Sequence, residues 1–270
     1  MLVAAGLSAI MTIAWIVQLL SDNAGWVDVF WSFGTGAAAT LLALTPIADA
    51  PVPGFQQILV ALLPAIWSLR LGAHLFGRVW RGAREDVRYA EFRTEWGERF
   101  QARMFRFLQI QALAGFILAL VAFAAARNHA QGRLVYDIAG IALFAAAFAG
   151  ETLADRQLRR FKADPANHGG ICRIGLWAWS RHPNFFFEWL GWCAYPILAF
   201  DPSFHSFWWV IALAGPVQMY WLLVHVSGIP PMEKLMARSR GAEFRVYQST
   251  TPAFLPLPPG LFGLVSDRFK

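Results

Sequence analysis

The run Trp177-Ala-Trp-Ser-Arg-His-Pro-Asn-Phe-Phe-Phe-Glu188 holds the densest set of hydrogen-bonding groups in the chain. Arg181 and His182 supply donors, Asn184 supplies a donor and an acceptor, and Glu188 follows Asn184 by one helical turn. Pro183 suits the first turn of a helix, and a helix N-terminus attracts phosphate and other anions. A plain helix cap accounts for Pro183 and Asn184 but not for Arg173, Arg181 and Glu188 around them. The chemistry suggested is binding of a large, charged ligand.

Further ionisable residues lie in or beside apolar runs. Asp28 sits in Trp26-Val-Asp-Val-Phe-Trp-Ser, Arg70, His74 and Arg78 recur every four residues, and Glu151, Asp155 and Arg159 repeat that spacing. Four residues is one helical turn, so each row occupies one helix face. A charge in hydrocarbon costs about 2.5–3.5 kcal/mol or more, so such rows face a cavity or one another. Pairing between helices with arginine snorkelling competes with a polar cavity at each row. Three rows at one membrane face favour the cavity.

The elements that must position these groups follow from composition. Of 270 residues, 57% are hydrophobic and only 15% charged, and the mean hydropathy is +0.44. A soluble domain carries about 25% charged residues. Apolar runs occupy 2–20, 26–47, 58–80, 110–126, 136–153, 185–200 and 207–226. Crossing hydrocarbon takes about 20 residues as helix, and backbone amides in lipid must pair within their own segment. The expectation is an all-α membrane protein with seven transmembrane helices, the sixth short or tilted. The first run lacks the basic flank of a signal peptide. Cys172 and Cys193 form no disulfide framework or metal motif, so no metal is expected.

Seven of the 23 Lys and Arg lie in 81–109, six in 154–184 and six after Ser227. With seven spans those segments share one side, which predicts an external N-terminus and a cytoplasmic C-terminus. The basic pI of 9.8 follows from these loops, and no basic-aromatic module points to nucleic acid. Segment 81–109 reads as amphipathic helix, 163–175 as a loop, 232–247 as a short helix and 254–259 as extended. These ordered cytoplasmic loops suit a soluble ligand. No repeat or flexible linker divides the chain, so it reads as one domain.

Ser180-Arg-His-Pro-Asn-Phe with Glu188, preceded by Asp155-x3-Arg159 and Cys172-Arg-Ile, resembles the C-terminal domain of the steroid 5-alpha-reductase family. Glu243-Phe-Arg-Val-Tyr247 followed by Thr251-Pro-Ala-Phe-Leu-Pro256 matches that family's closing pattern. The resemblance runs over about 81–259 and is closest to bacterial members, which implies a bacterial inner membrane. It implies a seven-helix enzyme using NADPH to reduce the enone double bond of a steroid-like lipid. The Arg-His-Pro element recurs in the isoprenylcysteine carboxyl methyltransferases, where it helps bind S-adenosylmethionine; that is the alternative. Glu85-Asp-Val-Arg-Tyr89 and the Tyr247 tail favour the reductase.

Carried over by position, the resemblance assigns Asp155, Arg159, Arg173, Arg181, His182, Asn184, Glu188 and Tyr247 to the cofactor site, with Asp86 and Arg88. Arginines can grip phosphates bidentately while carboxylates accept from ribose hydroxyls or the carboxamide. No G-x-G-x-x-G is present, so the site would not be a Rossmann one. Residues 1–80 would form the substrate side and 81–270 the cofactor side. The N-terminal third departs from the family, which places a Gln-Glu pair and a Tyr at the steroid carbonyl. Asp28 falls at the pair and His74 near the Tyr. The acid is therefore sought among Asp28, His74 and Tyr89, Asp28 donating only if apolar surroundings keep it protonated. Partners are membrane lipid and a lipid substrate, with no obligatory protein partner. A lipid-binding or transport protein would instead show a midplane polar site and broken helices.

Overall fold

In this computed structural model, residues 1–47, 52–81, 85–128 and 133–258 are described. Among them the chain is all-helical, without a strand. Five stretches are long and apolar enough to cross a membrane: Leu2–Ser21, Phe55–Trp80, Arg88–Ala126, Leu134–Ala163 and Trp208–Thr250. They mark a membrane-embedded protein.

The first four long helices are α1 (Leu2–Ser21), α2 (Gly25–Ala43), α3 (Phe55–Trp80) and, after the short α4 (Val87–Trp96), α5 (Phe100–Ala126). Next come α6 (Leu134–Ala163), α7 (Pro183–Trp192), α8 (Ala194–Leu198), α9 (Trp208–Ala212), α10 (Ala214–Trp221) and α11 (Ile229–Thr250). The expected run 185–200 is two helices, α7 and α8, and 207–226 is α9, α10 and a π-helical turn at Leu222–Val226. Helices also outrun the apolar stretches: α5 begins at Phe100 and α6 ends at Ala163. Hydropathy marks where lipid contact ends, whereas Arg, Gln and Glu are good helix formers and carry the helix onward.

The chain divides into two compact units. One comprises Met1–Gly140 with Tyr195–Gly215, the other Ile141–Ala194 with Pro216–Lys270. The division falls after Gly140, so the 81–109 segment belongs with the first three helices and not with the later motifs.

In the first unit α2 packs on α1, α3 and α5. Small residues permit the approach: a Cβ on Gly36 would lie 2.1 Å from Ser68 Oγ, and one on Gly72 2.6 Å from the Phe33 ring. Leu7, Met11, Val27, Val60, Met104 and Leu108 fill the interior. Polar pairs tie α1 to α5: Ser8 Oγ donates to Gln109 Oε1 at 2.6 Å and Gln18 Nε2 to Gln101 Oε1 at 2.7 Å. Such bonds suit helices in lipid, where apolar faces gain little by meeting.

In the second unit, the segment after α6 is pinned by Trp177 Nε1 donating to Ala154 O at 2.9 Å and Leu176 N to Gln157 Oε1 at 2.9 Å. Ile171, Phe244 and Tyr247 form its small core. Helix α11 covers the expected 232–247 helix and bends at Gly241, whose φ of 49° lies in the left-handed region. Residues 251–258 follow without regular structure, and Pro259, the last of the expected extended run, lies outside the described residues.

Candidate functional site

Two clusters of charged residues stand out, one in each unit. The first is centred on Asp28 in the opening turn of α2. Its Oδ2 accepts from Arg88 Nη2 at 2.6 Å and its Oδ1 from Tyr89 OH at 2.7 Å. Both donors come from α4, which starts where it does because Asp86 caps it, accepting from Arg88 N at 3.1 Å. The same carboxylate accepts Arg88 Nε at 2.9 Å and Nη2 at 3.0 Å. Arg78, at the end of α3, reaches Asp86 Oδ2 at 3.2 Å and Asp28 Oδ2 at 3.9 Å.

Two carboxylates thus face two guanidiniums and one phenol. Burial pushes the Asp86 carboxyl up, but the Arg88 hydrogen bonds and charge overcome it and hold the group below the usual carboxylate range. Tyr89 is only 1% exposed. Asp28 thus accepts at both oxygens, from Arg88 and from Tyr89. His74 lies one turn before Arg78 on α3 and is exposed. Nearby, Glu85 Oε1 accepts from Ala24 N at 3.1 Å and Arg93 Nη2 at 3.2 Å, fastening the α1–α2 turn to α4.

The second cluster joins the Arg-His-Pro-Asn element to the closing segment. His182 is the N-cap of α7 and Pro183 its first residue. Arg181 Nε donates to Glu233 Oε1 at 2.7 Å, and its Nη1 to the carbonyls of Gln248, at 3.1 Å, and Thr251. Arg181 N donates to Pro252 O at 2.9 Å, and Ser180 Oγ to Phe254 O at 2.9 Å. The Tyr247 hydroxyl donates to Trp177 O. Phe254 is boxed by Phe186, Trp189 and Tyr220, with ring centroids 5.5–5.7 Å away. His182 Nε2 lies 3.3 Å from Glu233 Oε1, and burial holds its imidazole below the ordinary range. The ring is therefore neutral near pH 7, and the contact is an N–H···carboxylate bond.

Comparison with known proteins places this arrangement. The model of a family described as a protein of unknown function, DUF1295, matches residues 14–251. The chain belongs to the DUF1295 family. It is also 27% identical to Uncharacterized protein C594.04c of Schizosaccharomyces pombe over 272 aligned positions, covering 90% of this chain and 76% of that one. No solved structure matches it.

The DUF1295 match takes in both clusters. Of the residues singled out from sequence, Asp28, Asp86, Arg88 and Tyr89 come together in the first. Arg181, His182 and Tyr247 come together in the second, where the Arg173 guanidinium lies 5.3 Å from the Tyr247 ring and donates to Glu243 O at 2.9 Å. Buried Glu188 accepts from Trp192 Nε1 at 3.2 Å. Asp155 is half-buried and Arg159 exposed on α6. Asn184 Oδ1 is buried without a hydrogen-bond partner. Sequence reasoning missed Glu233 and Gln248, the latter donating to Glu233 Oε2 at 3.0 Å. Glu233 stands after Gly228-Ile-Pro-Pro-Met, a helix-start signal, and an acid there reads as a companion of the helix dipole.

Proposed function

We propose that this protein is a membrane enzyme that uses NADPH to reduce the conjugated C=C bond of a 3-oxo-4-ene steroid or a lipid of similar shape. The observation that carries the reading is the pairing in one unit of the Arg181–Asn184 element with Tyr247 and the 251–256 segment. These are the two stretches through which the chain resembles the steroid 5-alpha-reductases. The resemblance also supports seven spans with an external N-terminus, as does the arginine distribution.

A nicotinamide nucleotide fits the residues of this unit. Arg159 and Arg173 are exposed cations for phosphate. Asn184 Oδ1 is a buried acceptor that a ligand N–H or O–H would satisfy. Arg181 is a poorer phosphate ligand than its sequence position implies, because Nε and Nη1 are bound to Glu233 and the closing segment.

Bound NADPH would supply a hydride to the β-carbon (C5) of the enone and be left as NADP⁺. The C4=C5 pair would shift to C3–C4 as the carbonyl pair moves onto oxygen, and a proton from the protein or water would end on C4. The protein's share is a donor at that oxygen. Asp28 already accepts twice and takes the single Tyr89 hydrogen, orienting the phenol, so His74 is the remaining candidate donor, and Tyr89 would serve only with its O–H turned from Asp28 to the substrate. Progesterone with NADPH, followed by loss of NADPH fluorescence and product mass, tests the reading. Tyr89→Phe and His74→Ala are assayed beside the parent, and a donor acting in the transition state lowers kcat more than substrate affinity. No reduction of any 3-oxo-4-ene steroid by protein that binds NADPH would remove the substrate assignment. Methyl transfer from S-adenosylmethionine, without NADPH binding, would favour the methyltransferase instead.

A further inference from the structure

Glu233 is the hub of the second cluster, and nothing in the sequence motifs accounts for it. It accepts from three side chains: Arg181 Nε at 2.7 Å, Gln248 Nε2 at 3.0 Å and His182 Nε2 at 3.3 Å. Its side chain is 17% exposed, and those of Arg181 and His182 are 9% and 10% exposed. An Arg181–Glu233 pair alone would fasten α11 to the α7 entry. The third bond does something different, because a histidine has two nitrogens that are not equivalent.

A carboxylate that already receives Arg181 and Gln248 has no proton to offer, so His182 Nε2 must carry the hydrogen. The ring is neutral, since its burial outweighs the attraction of Glu233, and Arg181 opposes a second charge. A neutral imidazole protonated at Nε2 has a bare lone pair at Nδ1. Stacking on Phe185, with centroids 5.5 Å apart and planes 10° apart, fixes the ring plane. Among the described residues Nδ1 makes no hydrogen bond. The next turn of the chain holds Asn184, whose Oδ1 is a second acceptor without a partner.

We propose that Glu233 is a positioning residue that locks His182 in its Nε2–H form, so that Nδ1 accepts a hydrogen bond from an N–H or O–H group of the bound ligand. This rests on the nucleotide reading above, in which the donor is a carboxamide or ribose group of NADPH. A merely structural Glu233 would hold the closing segment but leave the histidine tautomer unspecified.

The test uses full-length protein in detergent with ¹⁵N-labelled histidine. The signals of His182, one of six histidines, are assigned by their loss in His182→Gln. Long-range ¹H–¹⁵N correlation near pH 7 should show the parent with its proton on Nε2 and a bare Nδ1. Glu233→Ala should show a mixture of the two tautomers. A parent protonated at Nδ1, or at both nitrogens, overturns the proposal whether or not the variant folds, and so does an unchanged tautomer in folded Glu233→Ala. His182→Gln keeps a donor for Glu233 but has no Nδ1, so its NADPH affinity should fall about tenfold, the worth of one hydrogen bond. Undiminished affinity refutes the ligand contact. A parent that does not bind NADPH refutes the nucleotide reading and that contact with it, while the tautomer still decides the role of Glu233.

Discussion

Removing the Tyr89 hydroxyl should weaken the first cluster in a way that depends on Asp28. The Tyr89 OH to Asp28 Oδ1 bond is 2.7 Å long, and the Asp28 side chain is 15% exposed. A hydrogen bond to a charged group is worth about 1.5–3 kcal/mol. Tyr89→Phe strips one oxygen of its donor and should cost about that much. Asp28→Ala should cost more, because it also takes a 2.6 Å partner from Arg88. Arg88 is not left bare, since Asp86 still accepts its Nε and Nη2, which limits the loss. The informative quantity is the coupling: once Asp28 is gone, losing the hydroxyl should cost far less. Thermal unfolding of the parent, both single variants and the double variant in detergent measures it. The coupling should be about 1.5–3 kcal/mol, on the order of 3–12 °C in apparent Tm. Additive single effects would refute the Asp28–Tyr89 bond and Asp28 as the residue orienting Tyr89.

Two other outcomes are expected. Burial holds His182 below its ordinary value of about 6.5, so the unfolded chain takes up its proton first, and stability present above about pH 6.5 is lost as pH falls. The net downward shift of Asp86 adds a second loss below about pH 3.9. Apparent Tm should therefore fall as pH drops below about 6.5 in the parent and fall less there in His182→Gln. For topology, Glu98→Cys in a Cys172→Ser, Cys193→Ser background should resist an impermeant thiol reagent added to intact cells and react once the membrane is opened. Labelling from outside would reverse the orientation.

Much of this was legible in the sequence, but not its pairings. Hydropathy found where the long helices lie, because a lipid-facing run must be apolar. It could not find where α5 starts or α6 stops, since charged helix formers extend a helix past the bilayer without an apolar signal. Asp28 and Arg88 were both singled out, one as an acid and one as a cofactor ligand, yet they bind each other across sixty positions. Arg181 read as a cofactor ligand through the family resemblance of the Arg-His-Pro-Asn element. The groups that occupy it, Glu233 and the carbonyls of Gln248 and Thr251, lie 52–70 residues later. Local spacing carries no information about such partners. Backbone carbonyls have no sequence signature at all.

The proposed binding of a nicotinamide nucleotide by the Arg181–Asn184 unit is open to calorimetric titration of purified protein with NADPH, NADH and S-adenosylmethionine. NADPH should bind most tightly, and Arg173→Ala should weaken it by about 1.5–3 kcal/mol if a charge-assisted bond to phosphate is lost. Binding of S-adenosylmethionine with no heat from NADPH would refute the nucleotide assignment.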